Sequence, residues 1–147
     1  MNQNFKNYFG FISAIIVIVI IAVSCDKISE LTSDSNSSKD KLYFCEKYDL
    51  DLDKCEGKSM KYTPGRLTVM VDLRPSKKKI GVDKININLT DIATGKAVDT
   101  YPFDTKADMD YVYFEDVNFK SPGKYKVSAL KPDGTVIVTN EIEIVDK

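Results

Sequence analysis

Apolar and polar residues alternate along most of the chain with a period of two. Leu67, Val69, Val71 and Leu73 share one side of a segment whose other side carries Thr68, Met70 and Asp72. Ile85, Ile87 and Leu89 stand against Asn86, Asn88 and Thr90, and Tyr125, Val127 and Ala129 against Lys124, Lys126 and Ser128. Successive side chains of an extended chain point to opposite faces, so this period predicts strands buried on one side. Strands are expected over 42–47, 66–73, 84–91, 96–102, 110–119, 123–130 and 135–145, with no sustained helical period between them. Turn signals separate them: "TPG" at 63–65, "RPSKKKIG" at 74–81, "ATGK" at 93–96, "SPG" at 121–123 and "KPDG" at 131–134. Such regular spacing without helices predicts an all-β domain, a single antiparallel sandwich of about seven strands.

The first 40 residues break the pattern. Phe11 to Val23 carry no charge, Lys6 is the only charged residue before them, and Ser24-Cys25 is followed by the polar run "DKISELTSDSNSSKD". A helix from Tyr8 to Ser24 would reach about 25 Å at ~1.5 Å per residue, short of a bilayer core of ~30 Å. A basic head, a short apolar core and small residues before a cut are the parts of a secretory signal. "AVSC", Ala22 to Cys25, resembles the lipobox of bacterial lipoproteins, in the relaxed form of spirochaete-type surface lipoproteins, with Ala22 where that family most often has Leu. The resemblance covers the first 25 residues. It implies removal of residues 1–24 and lipidation of Cys25, with two or more acyl chains, since one binds a membrane only marginally. The expected organisation is a signal peptide (1–24), a lipidated Cys25 on a flexible tether (25–40) and one folded domain (41–147), large enough to bury its own core. The expected place is extracytoplasmic, lipid-anchored, at the outer membrane or cell surface rather than the inner membrane.

A second resemblance lies in "VYFEDVNFKSPGKYKV". Val112, Phe114, Val117, Gly123, Tyr125 and Val127 fall in the pattern of the E–F corner of immunoglobulin-like domains, where a Tyr after a turn Gly returns its hydroxyl to nearby backbone. That family's turn Asp is Ser121 here and its core Cys is Val127, so the inter-sheet disulfide is absent. Fibronectin-III-like and transthyretin-like sandwiches carry a similar stretch.

Composition narrows the chemistry. The chain holds no His and no Trp, and its formal net charge is −1. Without His there are no Ser–His or Cys–His nucleophile pairs and no His-ligated zinc. Near-neutral charge argues against nucleic acid as a partner, because phosphate binding needs clustered basic charge. No cofactor is indicated. Of the three cysteines, Cys45 and Cys55 sit ten positions apart in the folded part and are expected to join in an oxidising compartment.

Three clusters are candidates for binding. "YDLDLDKCE" carries Asp49, Asp51, Asp53 and Glu56, the hard-oxygen set Ca²⁺ prefers. Yet Lys54 stands where an EF-hand turn has Gly, and Met60 where it has Glu, so a solvated acidic loop with Leu50 and Leu52 packed inward is the simpler expectation. Arg74, Lys77, Lys78 and Lys79 form the one basic cluster, able to meet anionic headgroups or a sulfated glycan, or simply to solubilise a hairpin tip. Tyr111 and Tyr113 have the opposite parity to the core residues Val112 and Phe114, so they should face outward or cover a sheet edge, as a contact patch or as ordinary strand residues. Glu115-Asp116 points to opposite faces and does not converge for acid–base work. These features predict a monomeric, non-catalytic binding or adhesion module for a host or envelope protein or glycan. The alternative is an envelope assembly subunit that pairs through a sheet edge.

Overall fold

The computed structural model describes residues 40–146. The expected leader, Cys25 and the tether up to residue 39 lie outside the described residues. Among the described residues no helix is long and apolar enough to cross a membrane. Ten strands follow one another: β1 (Lys41–Cys45), β2 (Lys47–Asp49), β3 (Lys54–Glu56), β4 (Lys61–Tyr62), β5 (Gly65–Asp72), β6 (Lys84–Asp91), β7 (Ala97–Asp104), β8 (Tyr111–Phe119), β9 (Gly123–Leu130) and β10 (Val136–Ile144). Seven of them are the strands the alternation predicts, with bounds shifted by no more than two residues. The short β2, β3 and β4 have no counterpart in that pattern.

The strands form an all-β sandwich. One sheet has the order β1-β5-β8 and the other β4-β10-β9-β6-β7, while β2 and β3 make a separate hairpin. Pairing is antiparallel throughout, except where two-residue β4 runs parallel to β10. The strand β7 pairs with β6 rather than with β8. Counting only the seven long strands, β7 is the fourth and β8 the fifth; in constant-type immunoglobulin domains the fourth lies beside the fifth, so the partition here is different. The inward faces meet in one core that includes Phe44, Val69, Ile87, Phe114, Val117 and Val127. Phe44 and Phe119 meet edge to face with ring centroids 6.5 Å apart.

Two local devices make the inward pattern work. Leu67 pairs with Val117 and Val69 with Phe114, so Glu115 and Asp116 together stand opposite Thr68. This bulge, with Asp116 at φ 63, turns Val117 and Phe119 inward although their parity differs from that of Val112 and Phe114. At the next corner the Tyr125 hydroxyl donates to the Ser121 carbonyl at 2.8 Å, as the E–F resemblance implies. Gly123 has φ 152, and a Cβ there would face the Tyr125 ring at 3.5 Å. Burial raises the Tyr125 phenol above its ordinary range and so keeps the donor protonated. On this side β7 and β8 are neighbouring sheet edges, linked by a Tyr101 hydroxyl that donates to the Asn118 carbonyl at 3.0 Å.

Candidate contact surface on the first sheet

The outward face of β1-β5-β8 is covered by the β2–β3 hairpin. Cys45, at the end of β1, is fully buried and joined to Cys55 in β3, as the spacing predicts, with Cα atoms 5.6 Å apart. Tyr48 stands opposite Cys55 in the hairpin register. The chain reverses over residues 50–53, because the Asp49 carboxylate accepts the amides of Asp51 at 2.9 Å and Leu52 at 3.0 Å. That is the turn-mimicking habit of Asp. Gly57 closes the unit at φ 64, where a Cβ would come within 2.7 Å of the Glu46 side chain.

Beneath the hairpin lies a second, smaller core. Met70 has the parity of the solvent side, yet it is fully buried with Cys45 and Tyr48, ringed by half-buried Tyr43, Cys55, Tyr111 and Tyr113. The Tyr48 ring stacks on Tyr113 at 4.4 Å and meets Tyr111 edge-on at 6.4 Å. Its hydroxyl donates to the Asp53 carboxylate. The hydroxyls of Tyr43 and Tyr111 share a hydrogen bond of 3.1 Å. Two cations lie over the cluster: Lys58 Nζ is 3.9 Å from the centre of the Tyr43 ring, and the Arg74 guanidinium is 3.8 Å from that of Tyr111. Burial, helped by the hydrogen bond shared with Tyr43, pushes the Tyr111 phenol up to about 12.

This geometry changes several sequence-based expectations. Tyr111 and Tyr113 do face away from the main core, but as the platform on which Tyr48 sits rather than as a free patch. Leu50 and Leu52, expected inside, are 69% and 68% exposed. Strand alternation does not continue through them, because the Asp49 turn interrupts it. The four carboxylates do not converge either. Asp49 serves the turn, Asp53 receives Tyr48, and Glu56 pairs with Lys47 at 3.2 Å at the hairpin base. Asp51 is exposed, and no group of three potential ligands able to hold a metal exists among the described residues.

The basic cluster is dispersed in the same way. Arg74 makes a two-pronged contact with Asp72, with both distances 2.8 Å, and thereby holds that carboxyl below its usual range. Lys78 lies 3.4 Å from Asp40 and Lys79 2.5 Å from Asp110. Lys77, at φ 59 after the 3₁₀ turn Arg74–Ser76, is the member without an ion pair among the described residues. Three of the four charges are thus matched by carboxylates. Tyr43, Tyr48 and Lys58 were absent from the candidate set. The position of Tyr48 between the two bonded cysteines is the signal that marks it.

A groove of about 280 Å³ opens elsewhere, between β7 and the β8–β9 corner. Its carboxylate Asp99 receives Lys120 at 2.8 Å and the Tyr101 hydroxyl at 2.9 Å, and Lys120 holds it below the usual carboxylate range. An acid so engaged is a structural clasp, not a poised base.

No protein-family model matches the chain, and no curated protein matches it in sequence. Among solved structures it is similar to an endonuclease/exonuclease/phosphatase from Beutenbergia cavernae DSM 12333, at 19% identity and a TM-score of 0.30, over 55% of this chain and 21% of that one. This chain thus spans about a fifth of that protein, and a likeness at this level carries nothing about fold or activity.

Proposed function

We propose that the chain is a lipid-anchored, extracytoplasmic lipoprotein whose sandwich is a non-catalytic binding module, with the hairpin-covered face of β1-β5-β8 as its contact surface. The observation that carries this reading is the Cys45–Cys55 bond, which fastens the hairpin to the sheet. Such bonds persist in oxidising compartments, where a leader ending in "AVSC" would deliver the chain. The absence of His and the engagement of Asp49, Asp53, Glu56 and Asp99 in structural contacts favour binding over catalysis. Two of the four edge strands favour it over assembly by strand addition. The strand β7 contains Pro102, which offers no N–H, and β8 is bent by the Glu115–Asp116 bulge. Both are devices that discourage edge pairing. The partner is a protein or glycan of the envelope or of a host.

Fractionation of producing cells tests the proposal. Cys25→Ser should move the chain from the membrane to the soluble fraction, and Cys45 and Cys55 should resist alkylation in freshly quenched cells until reductant is added. Membrane association independent of Cys25, or ready alkylation of both thiols, would overturn it.

A further inference from the structure

We infer that the tip of the β2–β3 hairpin is the docking element of this module, and that its partner is a protein with an apolar pocket rimmed by Lys or Arg. The inference rests on the binding reading above and adds the chemistry of the partner. Leu50 and Leu52 are the most exposed large apolar side chains on the described surface, at 69% and 68%. They are not on a loose loop. The disulfide fixes one arm to β1, Tyr48 fixes the other by its stack on Tyr113 and its bond to Asp53, and Asp49 holds the amides of the turn itself. A tip ordered before contact loses little conformational freedom on binding. Two apolar anchors on a rigid turn are the kind of group that fills a pocket.

The charges around the leucines decide among occupants. Asp49, Asp51 and Asp53 alternate with Leu50 and Leu52, and the one base beside them, Lys54, stands opposite Asp49 in the hairpin register, so the tip stays acidic. A membrane would have to accept three carboxylates beside the leucines, and anionic lipid would repel them. A second copy meeting tip to tip would bring six aspartates together. A basic rim around an apolar socket satisfies both features at once, the leucines by burial and the aspartates by complementarity.

A defined mimic of such a socket is per-6-amino-β-cyclodextrin, an apolar cavity ringed by ammonium groups. The experiment titrates it into the full chain in phosphatidylcholine nanodiscs, with leucine methyls labelled for NMR. Neutral and carboxymethyl β-cyclodextrins are run alongside. The Leu50 and Leu52 methyls should shift while buried Leu67, Leu73 and Leu89 do not. Affinity should fall at least tenfold from the cationic to the anionic rim at low salt, with the difference shrinking as salt rises. Asp51→Asn should narrow that difference, and Leu50→Ser with Leu52→Ser, which removes the reporter methyls and is therefore followed by calorimetric titration, should abolish binding. Equal response to all three rims, or shifts elsewhere instead, would overturn the inference. So would tip methyls that already change with protein concentration, which would show a second copy as occupant. Tip methyls that change when phosphatidylglycerol replaces phosphatidylcholine would show a membrane. None of these outcomes depends on Cys25, so acylation can fail while the tip binds, and the reverse.

Discussion

Reduction of the Cys45–Cys55 bond should destabilise the domain and loosen the hairpin before the sandwich melts. The closed loop spans a sequence separation of 10, for which chain entropy gives about 3 kcal/mol. In a domain of about 100 residues each kcal/mol moves the midpoint by roughly 4 °C, so full reduction should lower it by about 12 °C. Reduction leaves both sulfurs in place and opens no cavity, which makes it a cleaner perturbation than replacing buried Cys45. What then retains the hairpin is modest. The Tyr48–Tyr113 stack contributes about 1 kcal/mol. The Lys47–Glu56 pair, with side chains 67% and 38% exposed, contributes less than that. The assay is a thermal melt of the chain with and without reductant, followed by far-UV and near-UV circular dichroism. With no Trp in the chain, the near-UV band reports the tyrosines directly. It should fall at a lower temperature than the far-UV sheet signal once the bond is reduced. A midpoint unchanged within about 2 °C, with coincident melts, would refute the view that this bond pins the hairpin.

Three other outcomes follow from the same contacts. Leu50→Ser and Leu52→Ser should each change unfolding free energy by less than about 0.5 kcal/mol in denaturant titrations, as exposed sites do, whereas a loss of about 2 kcal/mol or more would mean they are buried. Tyr62→Phe should cost about 2 kcal/mol in the same titration, because the hydroxyl lies 2.9 Å from the Phe44 carbonyl and 2.8 Å from that of Gly57 and accepts the Ser59 amide at 2.7 Å. Tyr111, with its phenol pushed up to about 12, contributes stability that is present below the ordinary tyrosine value of about 10 and is lost as pH rises from there through the folded value. Tyr111→Phe should flatten the decline of the melting temperature over that alkaline window, and an unchanged decline would remove Tyr111 as its source.

The long strands were legible because most have one face turned to the core, and period-two alternation reports that directly; β5, buried on both faces, and β7, only half-buried, are the exceptions. The tyrosine corner was legible because Gly123 and Tyr125 carry it within two positions of each other. The hairpin was not. "DLDLD" alternates as a strand does, but alternation says only that two sides differ, and a five-residue stretch with Asp at its start turns as readily as it extends. The side chain that fastens it, Tyr48, finds its platform on Tyr113, far along the chain, where no local pattern reaches. Met70 looked solvent-facing for the same reason, since its cover is a separate unit. The ion pairs of the basic cluster were not legible, because Lys79 is matched by Asp110 and Lys78 by Asp40, partners over 30 residues away. Arg74 was the exception, with Asp72 two positions before it.

Mass spectrometry of the mature chain extracted from membranes decides whether this protein is a tethered binding module outside the cytoplasm. The expected spectrum shows a first residue of Cys25 that carries two or three acyl chains, with Cys45 and Cys55 two hydrogens lighter than free thiols. A mature chain that still begins at Met1, or a Cys25 without acyl mass, would contradict it.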